Sequence, residues 1–220
     1  MPDPLLQRVA QVVDSAIGDI GAALGGGNAL WAHQVVDRPT ADLDTFLDSL
    51  DMQSYSHAQD RLIRAFDAAG MEAAVLQSDS WFCGILVTDR VTNDTVRVDI
   101  NYAHREHPPV IIDGVGAVLD LDDLLTGKLH ALTSRAAERD FYDIDALLST
   151  GRWSAYDLRV KLHKIRPHWS TEHFAELLSS ADLGDPVEYR ALGMESDQID
   201  AMVARLKARA DALKGFDDLQ

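Results

Sequence analysis

Ala22-Ala23-Leu24-Gly25-Gly26-Gly27-Asn28-Ala29-Leu30-Trp31-Ala32-His33, followed after a loop by Arg38-Pro39-Thr40-Ala41-Asp42-Leu43-Asp44, reads as strand, glycine turn, helix and second strand. The expected pieces are a short strand at 22–24, a tight turn at 25–27, a helix at 28–36 and a strand starting near residue 41. Asp42 and Asp44 stand at i and i+2, so on a strand they project from one face. Two like charges held that closely are costly unless a cation neutralises them, and hard oxygen ligands suit Mg²⁺ or Mn²⁺. The glycines lack side chains, so the backbone N–H groups of Gly26, Gly27 and Asn28 could approach an anion closely. Phosphates on one side and metal-binding carboxylates on the other describe a nucleotide site. Each part alone has a plainer reading, a solvated D-x-D pair and an ordinary turn; their order along the chain is what raises the nucleotide reading above it.

Working outward, residues 4–18 carry Leu5, Val9, Val12, Val13 and Ile17 at helical spacing. A further helix is expected at 54–69. Strands are expected at 71–77, 81–88 and 95–102, the last two joined as a hairpin across an Asp/Asn/Thr turn. A short edge strand is expected at 110–112. In the third strand Val96, Val98 and Ile100 line one face while Arg97, Asp99 and Asn101 line the other. Asp99 is therefore a candidate third carboxylate, completing a metal site or taking a proton from an attacking hydroxyl. From residue 120 onward the signals are helical, at 120–134, 138–149, 154–165, 171–180 and 197–214. The expected fold class is α+β, with a mixed-sheet core at 1–115 and a helical C-terminal part at 116–220.

One lysine sits where a leucine belongs. In the helix at 120–134, Leu121, Leu124, Leu125, Leu129 and Leu132 form an apolar stripe, and Lys128 falls near its middle. An amine there must snorkel or meet an anion, and a triphosphate fits the rest of the site. On the next helix Asp140, Asp143 and Leu147 share a face.

Composition sets the outer bounds. The 220 residues are 46% hydrophobic and 25% charged, enough apolar content for a real core. No run approaches the roughly 20 apolar residues needed to cross a bilayer. The N-terminus lacks the basic and apolar segments of a secretory signal, so a soluble cytoplasmic protein without membrane partners is expected. Cys83 is the lone cysteine, which excludes an internal disulfide and a cysteine-based zinc cluster. A net charge of −16 gives no general capture of nucleic acid. Residues 151–170, however, hold Arg152, Arg159, Lys161, Lys164 and Arg166 against Asp157, five bases to one acid. Arg159, Lys161, Lys164 and Arg166 are thus candidate RNA contacts, with Trp153 and Trp169 flanking them for stacking. A solvated basic helix face is the competing reading. His104 and His107 lack a third partner, and no G-x-S-x-G, Walker A lysine or H-E-x-x-H is present.

Gly26-Gly27, a spacer of fourteen residues and Asp42-Leu43-Asp44, with a later strand Asp, resemble the polymerase-β-type nucleotidyltransferase signature. More narrowly, GGGNALWAH…RPTADLD resembles the G-G-T-A-L…R-x-[ST]-x-D-[IL]-D block of the AbiEii family of nucleotidyltransferase toxins, which includes the mycobacterial MenT enzymes. Asn28 stands where that family has Thr. The pairing K-L-H-A-L-x-x-R…R-D-x-x-D-x-x-x-L at 128–147 resembles the family's second block, in which a lysine and an aspartate belong to the active site. Lys128 carries over; the aspartate is Asp143 or Asp140, with Asp143 favoured.

The resemblance implies a metal-dependent enzyme that adds a nucleotide from an NTP, CTP or UTP, to RNA, namely the 3′ acceptor end of tRNA. It also implies a cognate antitoxin, in some members a kinase that modifies the Ser or Thr two residues before the first Asp, here Thr40. Two alternatives remain beside it: transfer to a small molecule of the aminoglycoside type, and a non-catalytic interaction module of the same fold.

Overall fold

A computed structural model describes residues 3–48, 52–79, 81–102 and 104–215, with the side chains of 52–56 left aside. The chain divides into two compact units, residues 1–124 and 125–220.

In the first unit, helix α1 (Pro4–Ile17) is started by Asp3, whose carboxylate accepts from the N–H groups of Leu5 and Leu6, with Pro4 at the first helical position. Strand β1 (Ala23–Leu24) leads into helix α2 (Gly26–Ala32). Strand β2 (Asp42–Leu47) and helix α3 (Met52–Ala68) follow, then strands β3 (Met71–Ser78), β4 (Phe82–Asp89) and β5 (Thr95–Tyr102). Strands β6 (Val110–Ile112) and β7 (Gly116–Val118) close the unit. Among the described residues the seven strands form one sheet in the order β3-β4-β5-β2-β1-β7-β6. It is mixed: β2 with β5 and β1 with β7 run parallel, and the remaining neighbours run antiparallel.

Alternation gives this sheet two chemically different faces. Leu43 and Leu47 of β2, Cys83, Ile85 and Val87 of β4, and Val96, Val98 and Ile100 of β5 are buried, with α1 and α3 packed on the sheet through Val9, Ile17, Leu62 and Phe66. The residues between them, Asp42, Asp44, Arg97 and Asp99, are left for the other face.

In the second unit, the remainder of helix α4 (Leu121–Arg135) is followed by α5 (Glu138–Ser149), α6 (Ala155–Ile165), α7 (Thr171–Ser179), α8 (Pro186–Ala191) and α9 (Ser196–Leu213). Leu129, Leu132, Ile144, Leu147, Phe174, Leu178, Met202 and Leu206 have no exposed surface and form its core.

The expected α+β class holds, a mixed sheet followed by helices, with three local corrections. First, α2 takes in Gly26 and Gly27 rather than following a glycine turn. It stops at Ala32, because Gln34 adopts φ 59° and the Val35 N–H turns back to the Leu30 carbonyl at 2.9 Å. Second, residues 116–118, read as part of the helical segment, form β7 of the sheet. Third, Gly184-Asp185-Pro186 is not only a break: Asp185 caps a short helix with Pro186 at its first position.

Candidate active site

The parallel register of β2 and β5 brings four charged residues into a square. Asp42 stands opposite Arg97, and Asp44 stands opposite Asp99. Register partners on parallel strands lie on the same face about 5 Å apart, so three carboxylates and one guanidinium share a small patch. Arg97 Nε donates to Asp99 Oδ1 at 2.7 Å; the Asp99 side chain is 15% exposed and that of Arg97 48%. The hydrogen bond to Asp99, reinforced by its charge and then by those of Asp42 and Asp44, holds the Arg97 guanidinium above its ordinary range.

Glycines make room for the carboxylates. Gly26 has φ +58°, a conformation that L side chains rarely adopt, and a Cβ there would overlap Asp44 Oδ2. On β4, Gly84 is the register partner of Asp99, and a Cβ there would press on Asp99 Oδ1 at 3.3 Å. Gly27 faces another way. A Cβ on it would fall 2.8 Å from Arg38 Nη2 and 2.9 Å from Thr40 Oγ1.

Two main-chain ties fix β2 to the start of α2. The Gly25 N–H donates to the Asp44 carbonyl at 2.8 Å, and the Asn28 side-chain amide donates to the Asp42 carbonyl at 2.6 Å. Asn28 is 2% exposed. It was expected among the phosphate contacts, but its amide is committed to the strand that carries the aspartates. Thr40, expected as a modification site, has its Oγ1 buried and without a hydrogen-bond partner among the described residues. Arg38, two residues earlier, is also buried.

Asp42, Asp44 and Asp99 present hard oxygen donors on one face, the donor chemistry that suits a divalent cation of the Mg²⁺ or Mn²⁺ type. Among the described residues no three His, Cys, Asp or Glu side chains are gathered into a finished metal cage. One oxygen of Asp99 is engaged by Arg97 instead.

In the second unit the stripe of α4 is buried as expected, and Lys128 meets an anion supplied by the protein. Its Nζ lies 2.7 Å from Asp143 Oδ2, with Asp143 fully buried and the Lys128 side chain 13% exposed. Asp140, named beside it as a nucleotide contact, is bound elsewhere: Arg135 donates to both its oxygens at 2.8 Å, and the Ala137 N–H also donates to it. Of the two aspartates left open by the sequence, Asp143 is thus the one paired with the lysine.

The basic segment is less available to RNA than its charge suggests. Arg159 is buried, with its guanidinium 5.3 Å from the Tyr156 ring centroid. Arg166 donates to Thr133 Oγ1 and Ser134 Oγ, tying α6 to the end of α4. Trp153 is buried, and Trp169 meets His173 edge-on at 4.3 Å. Lys164 is exposed and Lys161 half-buried. Arg159, His163, His168 and Trp169 line a cavity of about 190 Å³.

The residues that sequence reading missed are Arg97, Gly84 and Asn28 in its anchoring role. Only the alternation on β5 hinted at the first, by setting Arg97 and Asp99 on one face.

Against known proteins, the family described as nucleotidyl transferase AbiEii toxin, type IV toxin–antitoxin system, matches residues 13–219. The crystal structure of JHP933 from Helicobacter pylori aligns with a TM-score of 0.66 at 15% identity, covering 95% of this chain and 90% of that one. MenT4, a nucleotidyltransferase toxin from Mycobacterium tuberculosis H37Rv, aligns with a TM-score of 0.53 at 14% identity, covering 97% and 84%. No curated protein sequence matches. At these identities the structural likenesses establish the fold.

Proposed function

The chain belongs to the nucleotidyl transferase AbiEii toxin family, and on that premise we propose that it moves a nucleoside monophosphate from an NTP to the 3′ acceptor end of tRNA, with Asp42, Asp44 and Asp99 as its catalytic carboxylates. Nucleotidyl transfer itself comes with the family, as does an antitoxin partner. The acceptor, the nucleotide and the residue roles are the proposal.

The observation that carries it is the register of β2 on β5, which sets Asp44 opposite Asp99 beside Asp42. In this reading Asp42 and Asp44 hold Mg²⁺ or Mn²⁺. Asp99 shares the metal or takes the proton of the attacking hydroxyl. The cation, when bound, offsets the charge of the phosphates and of the developing oxyanion. In this reading the triphosphate approaches the backbone at Gly26, while Gly27, expected beside it, is buried with its open side against Arg38 and Thr40, and Asn28 keeps Asp42 in place from behind. Lys128, oriented by Asp143, supplies positive charge for the triphosphate, a role taken from the family's second block. CTP or UTP is the nucleotide that the family resemblance implies.

For RNA the support is the exposed Lys164, the neighbouring Lys161 and the cavity lined by His163, His168 and Trp169. The antitoxin acts in this reading by phosphorylating Thr40, adding about −1.5 to −2 charge beside Asp42 and Asp44. Because Thr40 Oγ1 is buried, the 38–41 segment must open for that to happen.

A cationic small-molecule acceptor is the second reading, favoured by the net charge of −16. Each of the four NTPs, α-labelled, is incubated with Mg²⁺ and either total tRNA or an aminoglycoside panel. Label from CTP or UTP on tRNA, lost when the tRNA 3′ end is oxidised beforehand, is expected. Label on the aminoglycoside instead selects the second reading. Absence of both, with no metal-dependent NTP binding by calorimetry, leaves a non-catalytic module.

A further inference from the structure

Arg97 completes the charged square in a way that neither its strand nor its burial requires. Its side chain is about half exposed, yet it turns along β5 to Asp99 and lies in the field of Asp42 and Asp44 as well. A surface arginine gains little from one carboxylate in water. Here three carboxylates on one patch would repel one another, and the guanidinium relieves that repulsion. The cost falls on Asp99, one of whose oxygens is used up by Nε.

We infer that Arg97 is a built-in counter-cation of the carboxylate site, which competes with the divalent metal for Asp99 and must release it before Asp99 can serve as a ligand. The inference rests on the reading of Asp42, Asp44 and Asp99 as metal ligands and adds a residue that sets how tightly the metal is held. The site is then partly neutralised while empty, and metal loading becomes an exchange of one cation for another. While paired with Asp99, the Arg97 guanidinium also lies 5.9 Å over the Phe82 ring.

Mn²⁺ alone is the probe, followed by calorimetry and by the loss of free-Mn²⁺ paramagnetic resonance signal, with no nucleotide present. Removing one positive charge beside a bound divalent cation in a half-solvated site is worth roughly a tenfold gain in affinity. Arg97→Gln is therefore expected to bind Mn²⁺ about tenfold tighter than the wild-type chain, and Arg97→Lys, which keeps the charge, within about twofold of it. In an Asp99→Asn background the gain from Arg97→Gln should shrink severalfold, because the competition runs through Asp99. Thermal unfolding of each metal-free variant verifies that it is folded; should Arg97→Gln be unfolded, Arg97→Met makes the same comparison. Unchanged or weaker Mn²⁺ binding by the uncharged variant overturns the inference and leaves the metal reading standing. No Mn²⁺ binding by the wild-type chain overturns the metal reading, and this inference with it.

Discussion

Asn28 and Asp42 are joined by a hydrogen bond of 2.6 Å, from the side-chain amide of the first to the main-chain carbonyl of the second. The bond passes between the third residue of α2 and the first residue of β2, so it ties the glycine segment to the carboxylate strand. Asn28→Ala removes a side-chain donor from the part-buried Asp42 carbonyl, which costs about 0.5–1.5 kcal/mol. We expect that loss in chemical denaturation, together with a fall in kcat and little change in KM for the NTP. A raised KM with kcat retained would instead make Asn28 a nucleotide contact.

Gly26 is expected to tolerate no side chain. Its φ of +58° alone costs an L residue roughly 1–2 kcal/mol, and the added Cβ overlaps Asp44 Oδ2. Displacing that carboxylate by an ångström should reduce turnover by about a hundredfold. Gly26→Ala should therefore remain folded by circular dichroism while losing nearly all nucleotidyl transfer.

Much of this was legible beforehand, and the pattern of what was not has a physical basis. The amphipathic spacing of Leu5, Val9 and Val13, and the alternation of Val96, Val98 and Ile100, follow from local periodicity and located α1 and β5. Strand β7 is three residues long and pairs in parallel with β1, so neither periodicity nor a turn signal marks it. That Asp42 and Asp44 share one face of β2 could be read because i and i+2 on a strand is a local relation. The pairing of Asp44 with Asp99, the ion pair of Arg97 and the clearance at Gly84 depend on strand register, which the chain reveals only once folded. Arg159 was misjudged for a related reason: charge counting sees a basic run but not which side of α6 faces the core.

Lys128 and Asp143 form a pair whose structural and catalytic parts can be separated. Lys128→Met takes the lysine away from a fully buried carboxylate, at a cost of about 3–5 kcal/mol. Lys128→Met combined with Asp143→Leu removes both charges and should recover most of that stability in urea titrations. Activity should stay low in the double variant if the amine also serves the triphosphate. Recovery of both would reduce the pair to a structural one.

Tyr189 predicts the behaviour at high pH. Burial, aided by the charges of Glu138 and Asp182, pushes its phenol up to about 12, and its hydroxyl donates to the Ala181 carbonyl at 2.9 Å. The folded state thus favours the neutral phenol. Its contribution is complete below the unfolded pKa of about 10 and is lost as pH rises from there through about 12. Urea midpoints measured from pH 8.5 to 11.5 should fall steeply above pH 10, and Tyr189→Phe should flatten that fall.

The most direct test of the carboxylate square is single-turnover transfer of labelled CTP or UTP to total tRNA, compared among the wild-type chain, Asp42→Asn, Asp44→Asn and Asp99→Asn. Each variant is first shown to melt as the wild type does. The account predicts 3′-labelled tRNA from the wild-type chain, no detectable label from Asp42→Asn or Asp44→Asn, and a rate lowered by at least about a hundredfold for Asp99→Asn. Wild-type labelling in either the Asp42 or the Asp44 variant would contradict it.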